Sequence, residues 1–327
     1  MLNFRYRIFA FLGLLFVVGA PASNAQVQAD YPTRPIRLVI PFGAGGIADV
    51  HSRVTAAELS KRLGQQVVVE NQPAGLGIPA ARSVLQAPAD GHTLALFANG
   101  TATAVSLVKD LGFDPVKDFA PVANLIYFDF VIGVNANSNY RSVADIVTAA
   151  KANPGKLNIG TTARGSSSNL AAELLRLTAA INVTVVPYRN PSDLPIALMR
   201  QDVDAVLDTY ALLKSSVESG AARLVASTGA KRSAVFPELP TVAESGLAGF
   251  DVTSWNAVFA RAETPAPIIE KLNREIRAIQ SDPEIKQRLL QLGLQAYSGP
   301  REELGERLKS DIAKWAKVIE QAGVEQR

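Results

Sequence analysis

Short apolar runs recur along the chain at intervals that leave room for a helix between them. The segments "IRLVI" (36–40), "QVVVE" (66–70) and "TLALFA" (93–98) have the length and branched content of buried parallel strands. Between the first two, Ile47, Val50, Val54 and Ala57 fall at spacings of three, four and three. That spacing predicts a helix with this face on a sheet, and Gly64 is placed to end it. The alternation resumes with "LNIGT" (157–161), "SSSNLAAELLRLTAA" (166–180), "VTVVPY" (183–188) and "VDAVLD" (203–208). Between the two blocks "VANLIYFDFVIGVN" (122–135) is long enough to leave one sheet and enter another, and "RLVAST" (223–228) and "FDVTSWNAVFA" (250–260) read as return strands. The chain is therefore expected to pass at least twice between two hinged α/β lobes.

The last third is helical. Thr264 with Pro265 is expected to cap and start a helix carrying Ile268, Leu272, Ile276 and Ile279, and Ser281 with Glu284 has the spacing of a capping box. Leu304, Leu308, Ile312, Trp315 and Ile319 form a further apolar face ending near Gly323. These helices are expected to pack back on the first lobe.

Composition narrows the function classes. Arg5 and Arg7 precede an apolar run from Ile8 to Ala20, and "PASNAQ" puts Ser23 and Ala25 at the −3 and −1 positions of a cleavage site, with Ala22 as the alternative end. This is the pattern of an export signal, and the run is too short to span a bilayer. The expected organisation is a signal at 1–25, a first lobe begun by 26–124, a second lobe at 125–228, and a return to the first lobe with C-terminal helices at 229–327. Of the 33 basic and 30 acidic residues, the signal holds two basic ones and no acidic ones, so the mature chain carries 31 − 30 = +1. Such balance gives no reason to expect nucleic acid or an anionic membrane as partner. Without cysteine the chain has neither disulfides nor thiolate metal sites.

The candidate chemistry is correspondingly restricted. His51 and His92 sit in no metal-ligand spacing, and His51 falls on the first predicted helix. The serines at 166–168 lack a nucleophile elbow and a histidine placed to activate them, and "GAGGIAD" is neither a P-loop nor a dinucleotide fingerprint. What remains is a set of glycine and hydroxyl loops, each between the C-terminal end of a strand and the start of a helix, the edge where open α/β sheets bind ligands. Helix N-termini there present N–H groups and partial positive charge, each favouring an anion by about 0.3–1 kcal/mol when exposed. Asp49, in the first turn of the first helix, favours that helix but would compete with an anionic ligand.

The segments "YPTRPIRLVIPFGAGGIADV", "VVVENQPAGLGIPAA", "FDPVKDFAPVA", "VPYR", "FPELPTVAESGLAGFDVTSWNAVFA" and "TPAPIIEKLNREI" closely resemble the Bug family, substrate-binding receptors of tripartite tricarboxylate transporters, from about Tyr31 to Gly323. The resemblance implies a type II periplasmic-binding fold with two lobes, a hinge and an interlobe cleft that closes on a small carboxylate: a dicarboxylate, tricarboxylate or aromatic acid. It also implies a periplasmic protein, expected to be a monomer, that serves membrane transporter subunits and carries no cofactor, metal or catalytic residue. It places first-lobe contacts at Phe42, Gly45 and Gly46, at Gly77 and Ile78, and at Asn99 and Thr101. Second-lobe contacts fall at Thr162, Arg164, Ser166, Ser167 and Ser168, near Pro187 to Asn190, and at Asp208. Some of these positions are expected to act through backbone N–H groups.

Four features depart from the family pattern. Arg164 replaces small residues and offers a bidentate partner for a second carboxylate, or else points into solvent. Asn169 stands where histidine is common, Gln72 where arginine is common, and "RNPSD" replaces a glycine-rich turn. Asp208 either accepts a donor from the ligand or caps the next helix. Two other functions stay open at this point: a periplasmic hydrolase using a serine of 166–168, and presentation of the ligand to a sensor kinase.

Overall fold

The computed structural model describes residues 31–73 and 75–326; the expected export signal lies outside the described residues. In chain order the elements are β1 (Ile36–Ile40), α1 (Ile47–Leu63), β2 (Val67–Asn71), a short 3-10 turn (Gly75–Gly77), α2 (Ile78–Leu85), β3 (Thr93–Ala98), α3 (Asn99–Leu107) and β4 (Phe119–Asn135). There follow α4 (Val143–Ala152), β5 (Asn158–Thr162), α5 (Ser167–Thr178), β6 (Thr184–Tyr188), α6 (Asp193–Arg200), β7 (Ala205–Thr209), α7 (Tyr210–Glu218) and β8 (Ala222–Ser227). The chain ends with β9 (Thr253–Arg261), α8 (Ala266–Ser281), α9 (Pro283–Gln291), β10 (Gln295–Ala296) and α10 (Arg301–Ala322).

The strands run in the order β2-β1-β3-β9-β4-β7-β5-β6, with β8 and β10 also paired to β4. Parallel β2, β1 and β3 meet antiparallel β9, and parallel β5, β6 and β7 meet antiparallel β4. The long strand β4 joins the halves: Phe119 to Asp129 pair with β9, and from Phe130 onward the partners are β7 and β8. A second crossing returns through Thr228, whose N–H donates to Phe130 O at 3.0 Å and whose carbonyl accepts from Val252 N at 2.8 Å. Each half-sheet carries its own helices, which is the two-lobed arrangement anticipated from the length of β4.

Three expectations about helices are corrected. In α1 the buried residues are Ala48, Asp49, His51, Ser52, Val54, Thr55, Ala56 and Leu59, whereas Ala57 is exposed and Ile47 and Val50 are half-buried. Part of this polar inward face is paired: His51 Nε2 pairs with Asn256 Oδ1 at 2.8 Å, and Gln280 Nε2 donates to Thr55 Oγ1 at 3.2 Å, whereas His51 Nδ1, Ser52 Oγ and Gln280 Oε1 have no partner among the described residues. Paired in this way, polar side chains can occupy a helix–sheet interface. Thr264 makes no cap, since α8 starts after Pro265 without a side-chain bond. Ser281 is the last residue of α8, so the cap of α9 moves to Asp282, which accepts from Glu284 N at 2.8 Å just before Pro283.

The C-terminal helix matches its pattern, with Leu304, Leu308, Trp315, Val318 and Ile319 buried and Gly323 left-handed at φ 64°. Asp311 accepts from Trp255 Nε1 at 2.7 Å and so ties the helix to β9. Beyond the expected first-lobe packing, α10 lies against both α3 and α5 and thus touches both lobes.

Candidate functional site

At the C-terminal end of β1 the chain opens into the exposed run Gly43 to Gly46, with Phe42 half-buried beside it. Gly45 has φ +81°, and Gly46 precedes α1 with no side-chain cap. The loop is held by Asp49, the residue without a place in the sequence. Its buried carboxylate accepts from Gly45 N (2.9 Å), Asn71 Nδ2 (2.9 Å) and Arg53 Nε (3.0 Å). The same Asn71 amide donates to Phe42 O at 3.0 Å, and Arg53 Nη2 donates to Asn71 Oδ1 at 2.9 Å. Hydrogen bonding from Arg53 holds the Asp49 carboxyl far below the usual carboxylate range against the cost of its burial. The Gly45 N–H is thus spent on Asp49 and is not open to an anion. Asn71 was missed in the sequence; the Asp49–Arg53 spacing of four on a helix was the available signal.

Two more loops flank this one. Gly77 has φ +86°, a conformation that favours glycine, and a Cβ there would sit a tight 3.1 Å from the Pro41 ring. Ile78 opens α2, again without a side-chain cap. Asn99 and Thr101, both buried, open α3, likewise bare of a side-chain cap. Asn99 Nδ2 donates to Thr253 O at 3.4 Å, and its Oδ1 has no partner among the described residues.

In the second lobe the hydroxyls converge. Thr162 Oγ1 lies 3.0 Å from Ser166 Oγ and 2.6 Å from Ser168 Oγ, and the two serine oxygens are 3.2 Å apart. Ser166 caps α5 by accepting from Asn169 N at 3.2 Å, and Ser167 is the first residue of that helix. Asp208 accepts from Thr162 N at 3.1 Å and from Thr209 N at 2.8 Å, tying the end of β5 to the end of β7. It does not cap α7, which begins without a side-chain bond. Asn169 braces the same loop, accepting from Gly165 N at 2.9 Å and donating to Thr161 Oγ1 at 3.1 Å. Arg164 is exposed in the turn between β5 and α5. Gln72 is held along β2 by Glu70, with Nε2 to Oε1 at 2.8 Å.

The lobes meet where Gly165 abuts Leu107 at the end of α3: a Cβ on Gly165 would lie 2.9 Å from Leu107 Cδ1. The histidines are committed elsewhere, His51 to Asn256 and His92 to Thr33 N at 3.3 Å and the Asp90 carbonyl at 3.1 Å. Among the described residues the serine cluster has its own hydroxyls, Thr162 and the backbone as hydrogen-bond partners, and no histidine. A separate cavity of about 360 Å³, lined by Asn124, Tyr127, Trp255, Tyr297, Glu303 and Arg307, lies between β4, β9 and α10 and shares none of these loop residues.

Two α/β lobes joined by crossing strands, with uncapped helix starts in one and gathered hydroxyls in the other, define the two-lobed solute-binding class. Residues 51–324 match the tripartite tricarboxylate transporter family receptor, and the chain belongs to that family. It is 31% identical to the protein BugT of Bordetella pertussis, over 97% of this chain and 98% of that one. Among solved structures, R. palustris Rpa4515 with adipate superposes with a TM-score of 0.79 at 32% identity, covering 91% of this chain and all of that one. MatC (Rpa3494) from Rhodopseudomonas palustris with bound malate does so with a TM-score of 0.74 at 29% identity, covering 88% and 100%. The family consists of solute-binding receptors, and the chain is one of these and not an enzyme.

Proposed function

We propose that the chain captures a small organic carboxylate, whether dicarboxylate, tricarboxylate or aromatic acid, in the periplasm and delivers it to a membrane transporter of the tripartite tricarboxylate type. The observation that carries this reading is the Thr162–Ser166–Ser168 cluster at the start of α5, three hydroxyls within 3.2 Å of one another where a helix presents its positive end. Each hydroxyl can turn its proton toward a ligand oxygen. From the first lobe the bare starts of α1, α2 and α3 supply N–H groups, through Gly46, Ile78 and the Asn99–Thr101 turn. In this reading 26–124 and 229–327 make the first lobe and 125–228 the second. A ligand shifts the lobes toward closure only through its extra affinity for the closed form, so contacts from both sides are required. Adipate and malate, bound in the two relatives, are small dicarboxylates, the kind of ligand this reading assigns to the chain.

A thermal-shift screen of the purified mature chain against citrate, malate, adipate, terephthalate, nicotinate and acidic amino acids tests the proposal. A ligand at 100 times its Kd adds roughly 2.7 kcal/mol of stability and is recovered unchanged. Stabilisation by none of these acids, or their chemical conversion, overturns it. With a dicarboxylate in hand, Arg164→Ala is expected to weaken it far more than its monoacid analogue, and equal loss for both removes Arg164 from the site.

A further inference from the structure

The strand that joins the lobes changes partners at one residue. Asp129 makes the last pairing of β4 with β9, opposite Thr253, and Phe130 makes the first with β7. The carboxylate of Asp129 is turned onto the second crossing: a Cβ built on Gly229 would lie 2.7 Å from both of its oxygens. Gly229 directly follows Thr228, whose hydroxyl accepts from Phe130 N at 2.9 Å and donates to Val252 O at 2.6 Å. A third segment brings Asp251. The Thr253 hydroxyl lies 3.4 Å from Asp129 Oδ1 and 3.2 Å from Asp251 Oδ1. A hydroxyl has one proton, so it serves one of these carboxylates at a time.

On the second crossing Lys231 and Arg232 follow Gly229, and Arg232 pairs with Glu244 at 2.9 Å. Tyr297 and Glu303 line one cavity with Tyr127, Thr253 and Arg307, and β4 and α10 bring the remaining groups. Tyr127 stands two residues before Asp129 on the same strand and feels its charge. From α10, Lys314 Nζ donates to Asp251 O at 3.2 Å and Arg307 Nη2 donates to Thr253 O at 2.7 Å, both at backbone oxygens. No cation forms an ion pair with Asp129 or Asp251 among the described residues.

We propose that Asp129, Thr253 and Asp251 form a proton-operated latch on the angle between the two lobes. A proton taken from solvent by Asp129 supplies the second hydrogen bond that the trio lacks, drawing the crossing segments together; its return to solvent restores two carboxylates competing for one hydroxyl. Burial raises the Asp129 carboxyl to about 6, the Thr253 hydroxyl opposes this and the charge of Asp251 adds to it. The arrangement in this structure is therefore favoured by acid over any in which Asp129 is freely hydrated. Solute capture is in this way coupled to the acidity around the receptor, beyond any titration of the solute.

The chain has no cysteine, so spin labels at Lys61→Cys on α1 and Lys151→Cys on α4 report the interlobe distance of the ligand-free mature protein without further changes. The expected result is a distance distribution that shifts with pH around a midpoint near 6 and that Asp129→Asn fixes in its acid form. Thr253→Val, which removes the shared hydroxyl, abolishes the pH-dependent shift, and Asp251→Asn, which removes the like charge, lowers its midpoint. A melting temperature that rises in Asp129→Asn relative to the native chain as pH climbs toward 6, and stays level above, gives the same sign without labels. If Asp129→Asn does not fold, loss of the shift in Thr253→Val and its lowered midpoint in Asp251→Asn decide the matter. No pH dependence of the distance, its persistence in Asp129→Asn or Thr253→Val, or a midpoint unmoved in Asp251→Asn would overturn the latch.

Discussion

Asp49 shows how a single side chain can be legible by type and opaque by role. Its position in the first turn of a helix is plain in the sequence, but its partners Gly45, Arg53 and Asn71 include one 22 residues away on another strand. Only the folded chain shows that the carboxylate shapes the glycine loop. Asp49→Asn is expected to cost roughly 2 kcal/mol, because an amide presents a donor to Asn71 or Arg53 and half-exposed Arg53 is relieved by water. Chemical denaturation of the two proteins at neutral pH measures this, and equal midpoints would refute the bracing role. The hydroxyl loop differs: its place between a strand end and a helix start was legible, and the family resemblance singled out Thr162, Ser166 and Ser168, but their approach to within 3.2 Å of one another shows only in the folded chain.

Among the elements, the C-terminal helix followed its pattern, whereas the inward face of α1 and the α8–α9 junction did not. The apolar face of α10 and the left-handed Gly64 and Gly323 follow from spacing alone. The α8–α9 junction does not, since Ser281 and Asp282 are both acceptable caps and the choice falls to Pro283, which fixes the first helical position. Asp282→Ala is expected to lower stability by about 1 kcal/mol and Ser281→Ala by less than about 0.5 kcal/mol, compared by thermal denaturation. The inward face of α1 was misread because a helix covered by Asn256 and Gln280 can bury His51 and Thr55, and those partners come from more than 200 residues further along the chain.

At the scale of the whole molecule, the two lobes were visible in the length of β4, which no single sheet of this size needs. The bridging of both lobes by α10 was not, because apolar periodicity says which face is buried and not against what. Stability of the assembled chain carries a distinct pH signature from His51. Burial drives its imidazole down to about 4, opposed by the bond to Asn256, so the native state holds it neutral. With the native pKa below the unfolded one, stability is full above about pH 6.5 and falls as pH drops toward 4. The difference amounts to about 3 kcal/mol at most. His51→Gln is expected to flatten this acid limb in urea titrations between pH 4 and 7, and an unchanged slope would count against a buried neutral imidazole.

The brace behind the glycine loop draws on α1 and β2 for its side chains and on Gly45 and Phe42 for backbone atoms alone. The loop's shape is thereby inherited separately from its side chains. In the proposed function, an exchange at Phe42 is expected to retune which acid is bound while the brace of Asp49, Arg53 and Asn71 keeps the loop's shape, so a receptor of this kind can diversify by front-facing replacements without being refolded each time.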